Sequence, residues 1–227
     1  MALAGTKSSV VADLRAQIGQ LQGRPSVLSL STHPALEGLL SLQPGGVYAV
    51  DVPSLAFLLL AGPSADGAWC AIVGSDRVGV EAAAEVGVLL ERTVWIPDAG
   101  ADPASVLGAL ADSVGIVMVD QVGLPEREAG RLRARLHQRQ AALVAVGDWP
   151  RADARLRWQD PVWSGPDEGH GHLVSRQVTV VVERSGRVTG SRRLWFPSAE
   201  ADVSPVFEGV SAAQQQPQRG VERQVAG

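Results

Sequence analysis

A series of short, almost wholly apolar segments runs through the middle of this chain, and it constrains the fold more than any other feature. The segments are Gly46-Val-Tyr-Ala-Val50, Trp69–Gly74, Thr93–Ile96, Val114–Val119 and Ala141–Val146. A strand with one wet face alternates apolar and polar residues; these do not, so both of their faces are expected to be covered. Between them Ser54–Ala61, Gly79–Leu90, Pro103–Asp112 and Pro125–Arg139 read as helices. Strands that alternate with helices require crossover connections. The expected class is therefore α/β, a mostly parallel sheet with helices on both faces.

After Gly147 the pattern changes. Ala154–Trp158 alternates as a strand, and Gln177–Glu183 and Arg187–Trp195 flank Arg184-Ser-Gly186 as an antiparallel hairpin, with a polar loop, Ser164–Gly171, ahead of them. The parallel core thus carries an antiparallel C-terminal extension at one edge. Before the core, Val10, Val11, Leu14, Ile18 and Leu21 place a helix over residues 9–22, stopped by Gly23 and Pro25, and Ser26–Leu30 reads as a short strand. From Ser198 the periodicity fades. The chain divides into a helix-strand lead-in (1–31), a core (32–197) and a tail (198–227) expected to lack regular structure, with Phe207 and Val210 as its candidate anchors. No internal repeat is visible.

Composition excludes several classes. At 45% hydrophobic, the chain can bury a substantial core. A net charge of -4 provides no overall field to attract nucleic acid, although a local basic patch is compatible with it. The one cysteine, Cys70, has no partner for an internal disulfide and sits in an apolar run, which predicts a buried thiol. The first 22 residues lack a secretory apolar region, and no apolar run approaches the ~20 residues that span a bilayer, so a cytoplasmic protein without membrane contact is expected.

The chemistry that is missing is equally informative. A phosphate cradle needs glycines whose backbone N–H groups turn inward and a lysine that reaches the phosphates. After the first core strand this chain has only Asp51-Val52-Pro53. Asp51 repels phosphate and Pro53 lacks an N–H donor. The only lysine, Lys7, precedes the first helix, with Thr6 where the motif needs glycine. ATP hydrolysis by that mechanism is therefore not expected. Gly115-Ile-Val-Met-Val-Asp120 has the outline of a Walker B strand, which elsewhere helps hold magnesium; without a cradle, Asp120 reads as a vestige or a helix cap. His170-Gly-His172 with Asp167 and Glu168 matches no zinc spacing. His33 and His137 have no visible partners, and Glu81 and Glu85 fall on a wet helix face. No catalytic residue, metal or cofactor is expected.

Two binding features remain. Arg127, Arg131, Arg135 and Arg139 lie four apart with Arg133 nearby, a stripe able to meet DNA phosphates or an acidic partner, or to stand solvated beside Glu126 and Glu128. Six of the ten aromatic residues are tryptophan, and Trp195-Phe196-Pro197 ends the last strand, either as an interface anchor or as cover for the sheet edge.

The succession "HPALEGLLSLQPGGVYAV", "WCAIVG", "EAAAEVGVLLER", "GIVMVDQVG", "RLRARLHQRQAALVAVGDWPRADARL", "GHGHLVSRQVTVVVERSGR" and "RRLWFP" resembles RecA-like recombinase cores. More narrowly it resembles the shortened ImuA-type accessory proteins of GC-rich actinobacteria, over about residues 9–197. Nineteen arginines to one lysine suit such a genome. The resemblance implies a RecA-like fold and a role in a DNA-damage-induced mutasome. The partners it implies are a catalytically inactive Y-family polymerase-like protein (ImuB), an error-prone C-family polymerase and RecA. SulA-type cell-division inhibitors are also similar to shortened RecA folds and are the alternative within this relationship. Direct single-stranded DNA binding through the arginine stripe, and a small enzyme using Asp120 or the His170/His172 loop, are alternatives from other classes.

Overall fold

The five apolar segments become strands in the interior and at one edge of a single sheet: β1 (Val47–Val50), β2 (Cys70–Val73), β3 (Thr93–Ile96), β4 (Ile116–Val119) and β5 (Ala142–Val146). The computed structural model describes residues 30–74, 79–165 and 173–206. Four further strands follow: β6 (Ala154–Ser164), β7 (Ser175–Arg184), β8 (Arg187–Trp195) and β9 (Ser204–Pro205). The sheet order is β3-β2-β4-β5-β1-β6-β7-β8-β9. Pairing is parallel from β3 through β6 and antiparallel from β6 to β9. The molecule is α/β, with a mostly parallel mixed sheet and antiparallel C-terminal strands.

Successive residues of a strand point to opposite faces. Tyr48, Val50, Cys70, Ile72, Ile116, Met118, Ala142 and Val144 meet helix α1 (Pro53–Ala65) and the short α2 (Val80–Glu85) on one side. Val47, Ala49, Ala71, Val73, Val117, Val119, Leu143 and Ala145 meet α3 (Pro103–Ser113) and α4 (Glu126–Arg139) on the other. Two covered faces explain the uninterrupted apolar runs. The exception is β3, whose Val94 and Trp95 are exposed because it is the outer strand of the parallel side.

Helix α1 extends four residues past its expected end at Ala61, and every residue from Leu55 to Ser64 is buried. A helix apolar all round needs cover on all sides. Here the sheet lies on one side, with Leu30, Leu36 of the 3-10 turn Pro34–Leu36, Leu40 and Leu42 in the same core. Helix α2, by contrast, is half the expected length. Gly87 just past its end has φ +97°, a left-handed conformation that stops a helix, and Leu90–Arg92 forms a separate 3-10 turn.

The C-terminal part corrects two expectations. β6 does not stop at Trp158 but continues to Ser164, with a bulge between Gln159 and Val162 where Asp160 takes φ 50° and Pro161 follows. It pairs with β1 on one side and β7 on the other, so it joins the parallel and antiparallel halves. The expected β7–β8 hairpin is present, with Ser185 (φ 50°) and Gly186 (φ 73°) supplying the two left-handed positions of its turn. The second correction concerns the stretch from Ser198, expected to lose regular structure. Ser198 is buried, Val203 packs on the core and Ser204–Pro205 pairs with β8, because the chain turns back along that strand. The helix expected over 9–22, Lys7, most of the Ser26–Leu30 strand, the Asp167–His172 cluster and the tail from Phe207 lie outside the described residues. Among the described residues, no helix is long and apolar enough to cross a membrane.

Candidate functional site

In open α/β sheets ligands collect at the carboxyl ends of the parallel strands, where outgoing connections diverge to opposite faces. Such a divergence lies between β1, whose connection α1 packs on one face, and its neighbour β5, whose connection carries Trp149 and Ala152 onto the other. Asp51 follows β1, Gly147 and Asp148 follow β5, and Asp120 follows β4, the next strand on the far side of β5. The β1-to-α1 junction consists of Asp51 and Val52 alone, since α1 begins at Pro53. Val52 is extended and caps the helix without a side-chain hydrogen bond. The Asp51 N–H donates to the Leu156 carbonyl (3.3 Å), and its carboxylate accepts the Trp158 N–H (2.8 Å). Asp51 therefore ties the end of β1 to β6 and presents no inward-turned N–H cradle.

Asp120 is buried at the end of β4, and its N–H donates to the Val73 carbonyl (2.9 Å). The helix-cap expectation for it fails: the residue capping α4 is Pro125, which offers no side-chain acceptor. Asp148 pairs with Arg155 (2.6 Å) beside a shallow cavity of about 370 Å³ that Gly123, Leu124, Trp149 and Pro150 complete. Among the described residues, no three His, Cys, Asp or Glu side chains are grouped to hold a metal ion. His33 has a partner after all: its Nδ1 accepts the Ala35 N–H (3.1 Å) at the start of the 3-10 turn, and burial lowers its pKa against the opposing pull of Asp202.

The arginine stripe is split. Arg127, Arg131, Arg135 and Arg139 are all exposed on α4. Arg135 grips Asp112 of α3 with two nitrogens, Nε at 2.8 Å and Nη2 in a short ion pair, and Arg139 Nε reaches the same carboxylate at 3.0 Å. The hydrogen bond from Arg135 holds the Asp112 carboxyl below the usual carboxylate range. Arg133 binds Asp153 and the Arg151 carbonyl, locking the β5–β6 connection to α4. Among the described residues, only Arg127 and Arg131 of the four stand without an acidic partner within 4 Å.

The Trp195-Phe196-Pro197 element divides too. Trp195 is half-buried, whereas Phe196 is a core residue, 6% exposed and packed edge-on to Trp158 with ring centres 5.0 Å apart. As placed, Phe196 is not a surface anchor. Phe207 lies outside the described residues.

The sequence did not signal the cluster around Arg176. Its guanidinium sits 4.5 Å from the Trp158 ring centre and 4.7 Å from that of Trp163, while Nε donates to the Phe196 carbonyl (2.7 Å). Burial lowers its pKa. Beyond this stack the far end of the β6–β7 pair exposes Val162, Trp163, Leu173 and Val174, each between 44% and 56%. The available signal was the register of β7: Arg176, Val178, Val180 and Val182 alternate onto one face, so the arginine shares the side of the buried valines.

Comparison with known proteins assigns part of the chain to a family. A family model described as the MT3502 N-terminal domain matches residues 35–151, just over half of the 227. The chain is also similar to the uncharacterized protein Rv3395c of Mycobacterium tuberculosis, 37% identical over 126 residues, which is 52% of this chain. That match spans 60% of the relative's length. The matched segment runs from the 3-10 turn through β1–β5 and their helices into the β5–β6 connection, and on that span the chain belongs to the MT3502 N-terminal domain family.

Proposed function

We propose that this chain is a noncatalytic adaptor with a RecA-like core, an ImuA-type accessory protein that supports translesion synthesis by docking a Y-family polymerase-like partner. The observation that carries the reading is the two-residue β1–α1 junction. A P-loop protein folds a glycine-rich cradle at this position; here Asp51 bonds to the backbone of β6 and Pro53 begins the helix. A sheet of this kind without its phosphate loop is a scaffold whose use is contact. The exposed Val162, Trp163, Leu173 and Val174 supply an apolar surface of the sort that marks protein interfaces. Similarity to a mycobacterial protein agrees with the actinobacterial lineage that the resemblance implies.

The test pairs a binding measurement with a nucleotide measurement. The tagged protein, purified from a cell exposed to DNA damage, is expected to bring down a Y-family polymerase-like protein, and Trp163→Ala with Leu173→Ser is expected to weaken that capture. Millimolar Mg-ATP is expected to leave Tm unchanged. A magnesium-dependent rise in Tm with ATP would falsify the noncatalytic reading. Loss of the gene with no fall in damage-induced mutagenesis would remove the mutasome, and filamentation on overexpression would favour division inhibition.

A further inference from the structure

Arg176 carries a partly desolvated charge, and no carboxylate lies within 4 Å of it among the described residues. Its hydrogen bond to the Phe196 carbonyl uses Nε alone. Nη1 and Nη2, which hold the remaining guanidinium N–H groups, meet no protein acceptor among the described residues. The two indole faces offset part of the lost hydration. Withdrawing a charge from water stays costly until an opposite charge pairs with it.

Beside Arg176 lies a cavity with apolar walls: Phe57 of α1, Val86 at the end of α2, Phe196, and Val203 just before β9. Its volume is about 120 Å³, against roughly 300–1,000 Å³ for small-molecule pockets, so it admits one side chain and not a whole ligand. Outside it, Trp163 stands directly opposite Arg176 in the β6–β7 register, and Val174 precedes Arg176 by two residues; both are exposed. An unpaired cation, a space for one side chain and an apolar surface therefore adjoin one another.

We propose that this is a recognition pocket for an acidic-apolar peptide segment: an Asp or Glu carboxylate of the partner pairs with the Nη atoms of Arg176, and the apolar side chain next to it enters the cavity. The inference rests on the docking reading above for the existence of a protein partner, and it names the chemistry which that partner presents. A guanidinium fork matches a carboxylate with two parallel hydrogen bonds. Held by its Nε bond and by the rings of Trp158 and Trp163, Arg176 has little freedom left to lose on binding.

The local charges favour a peptide over nucleic acid. A single strand lays successive phosphates along a run of cations. Here Arg176 is the one cation lining the cavity, and Glu85 lines it too. Glu85 also sets the orientation of the segment. Like charges repel, so the incoming carboxylate takes the Trp163 side of Arg176 and leaves the cavity to the apolar side chain.

The test begins with selection of a random peptide library, displayed on phage, on the immobilised full chain. It uses no cellular partner, so its failure is separable from failure of the adaptor reading. Selected sequences should carry Asp or Glu beside an aliphatic or aromatic residue. In titration calorimetry, replacing the acid of a selected peptide by its amide should weaken binding about tenfold, and Arg176→Gln should do the same. Both changes together should weaken it no further than either alone, because each breaks the same pair. Near-UV circular dichroism checks the fold of Arg176→Gln, and the acid-to-amide comparison on wild type needs no variant at all. A library that enriches no acidic residue, or equal wild-type affinity for the acid and amide peptides, would overturn the proposal. So would oligothymidylate that displaces the peptide at low salt and no longer binds Arg176→Gln, since the pocket would then belong to nucleic acid.

Discussion

At the scale of single residues, Arg176 is the most informative side chain. It lies between two indole rings, gives its Nε to a backbone carbonyl and is withdrawn from water enough to lower its pKa. Cation–π contacts with partial desolvation and a charged hydrogen bond together contribute about 1–3 kcal/mol. Arg176→Ala is therefore expected to lower unfolding stability by roughly that amount in urea. Arg176→Lys should recover only part, because an ammonium lacks the flat face that fits between two rings. An Ala variant as stable as wild type would show that the stack contributes nothing. Sequence reading passed over this residue: its partners Trp158 and Trp163 lie on another strand, and cross-strand register is not visible in a linear chain.

At the scale of elements, α3 and α4 are joined by one carboxylate. Asp112 takes Arg135 and Arg139 at once, and this converts half of a surface stripe into a helix-helix tie. Asp112→Asn should lower Tm at low ionic strength, and the difference should shrink in high salt. The pH sign follows from the depressed Asp112 pKa. The tie is fully formed above the usual carboxylate range near 3.8, and it is lost as pH falls through the lower folded value. The same variant releases two arginines, so any weak attraction to single-stranded DNA should grow and become more salt-dependent. If Tm is the same at every salt concentration, the tie does not hold the helices. The stripe's spacing was plain in the sequence, but its neutralisation was not, since Asp112 and Arg135 are brought together only when two helices pack on one face.

At the scale of the whole molecule, Cys70 reports on cooperative opening. It is fully buried in β2, between β3 and β4, and burial pushes its thiol from an ordinary value near 9 up to about 11. The thiolate is the reactive form, so iodoacetamide at pH 8 should label Cys70 only through molecules that have opened. Labelling should therefore accelerate in step with added denaturant. The folded pKa is the raised one, so the thiol's contribution to stability is complete below about pH 9 and is lost as pH rises toward 11. Prompt labelling in native buffer would mean that β2 is accessible without unfolding.

The sequence by itself determined the α/β class, the five apolar strands and the β7–β8 turn. Each depends on local information: side chains that alternate or fail to alternate, and a Ser-Gly pair that accepts left-handed backbone. It also showed that no glycine or lysine stands at Asp51-Val52-Pro53 after the first core strand, because which residues occupy a position is local information. Only the tertiary structure decided that β6 joins a parallel half to an antiparallel one, that Phe196 turns inward, that Asp112 occupies two arginines and that Ser198–Val206 folds back on β8. Those outcomes depend on which distant segments meet, and contact between residues far apart in the chain is set by the packing of whole faces.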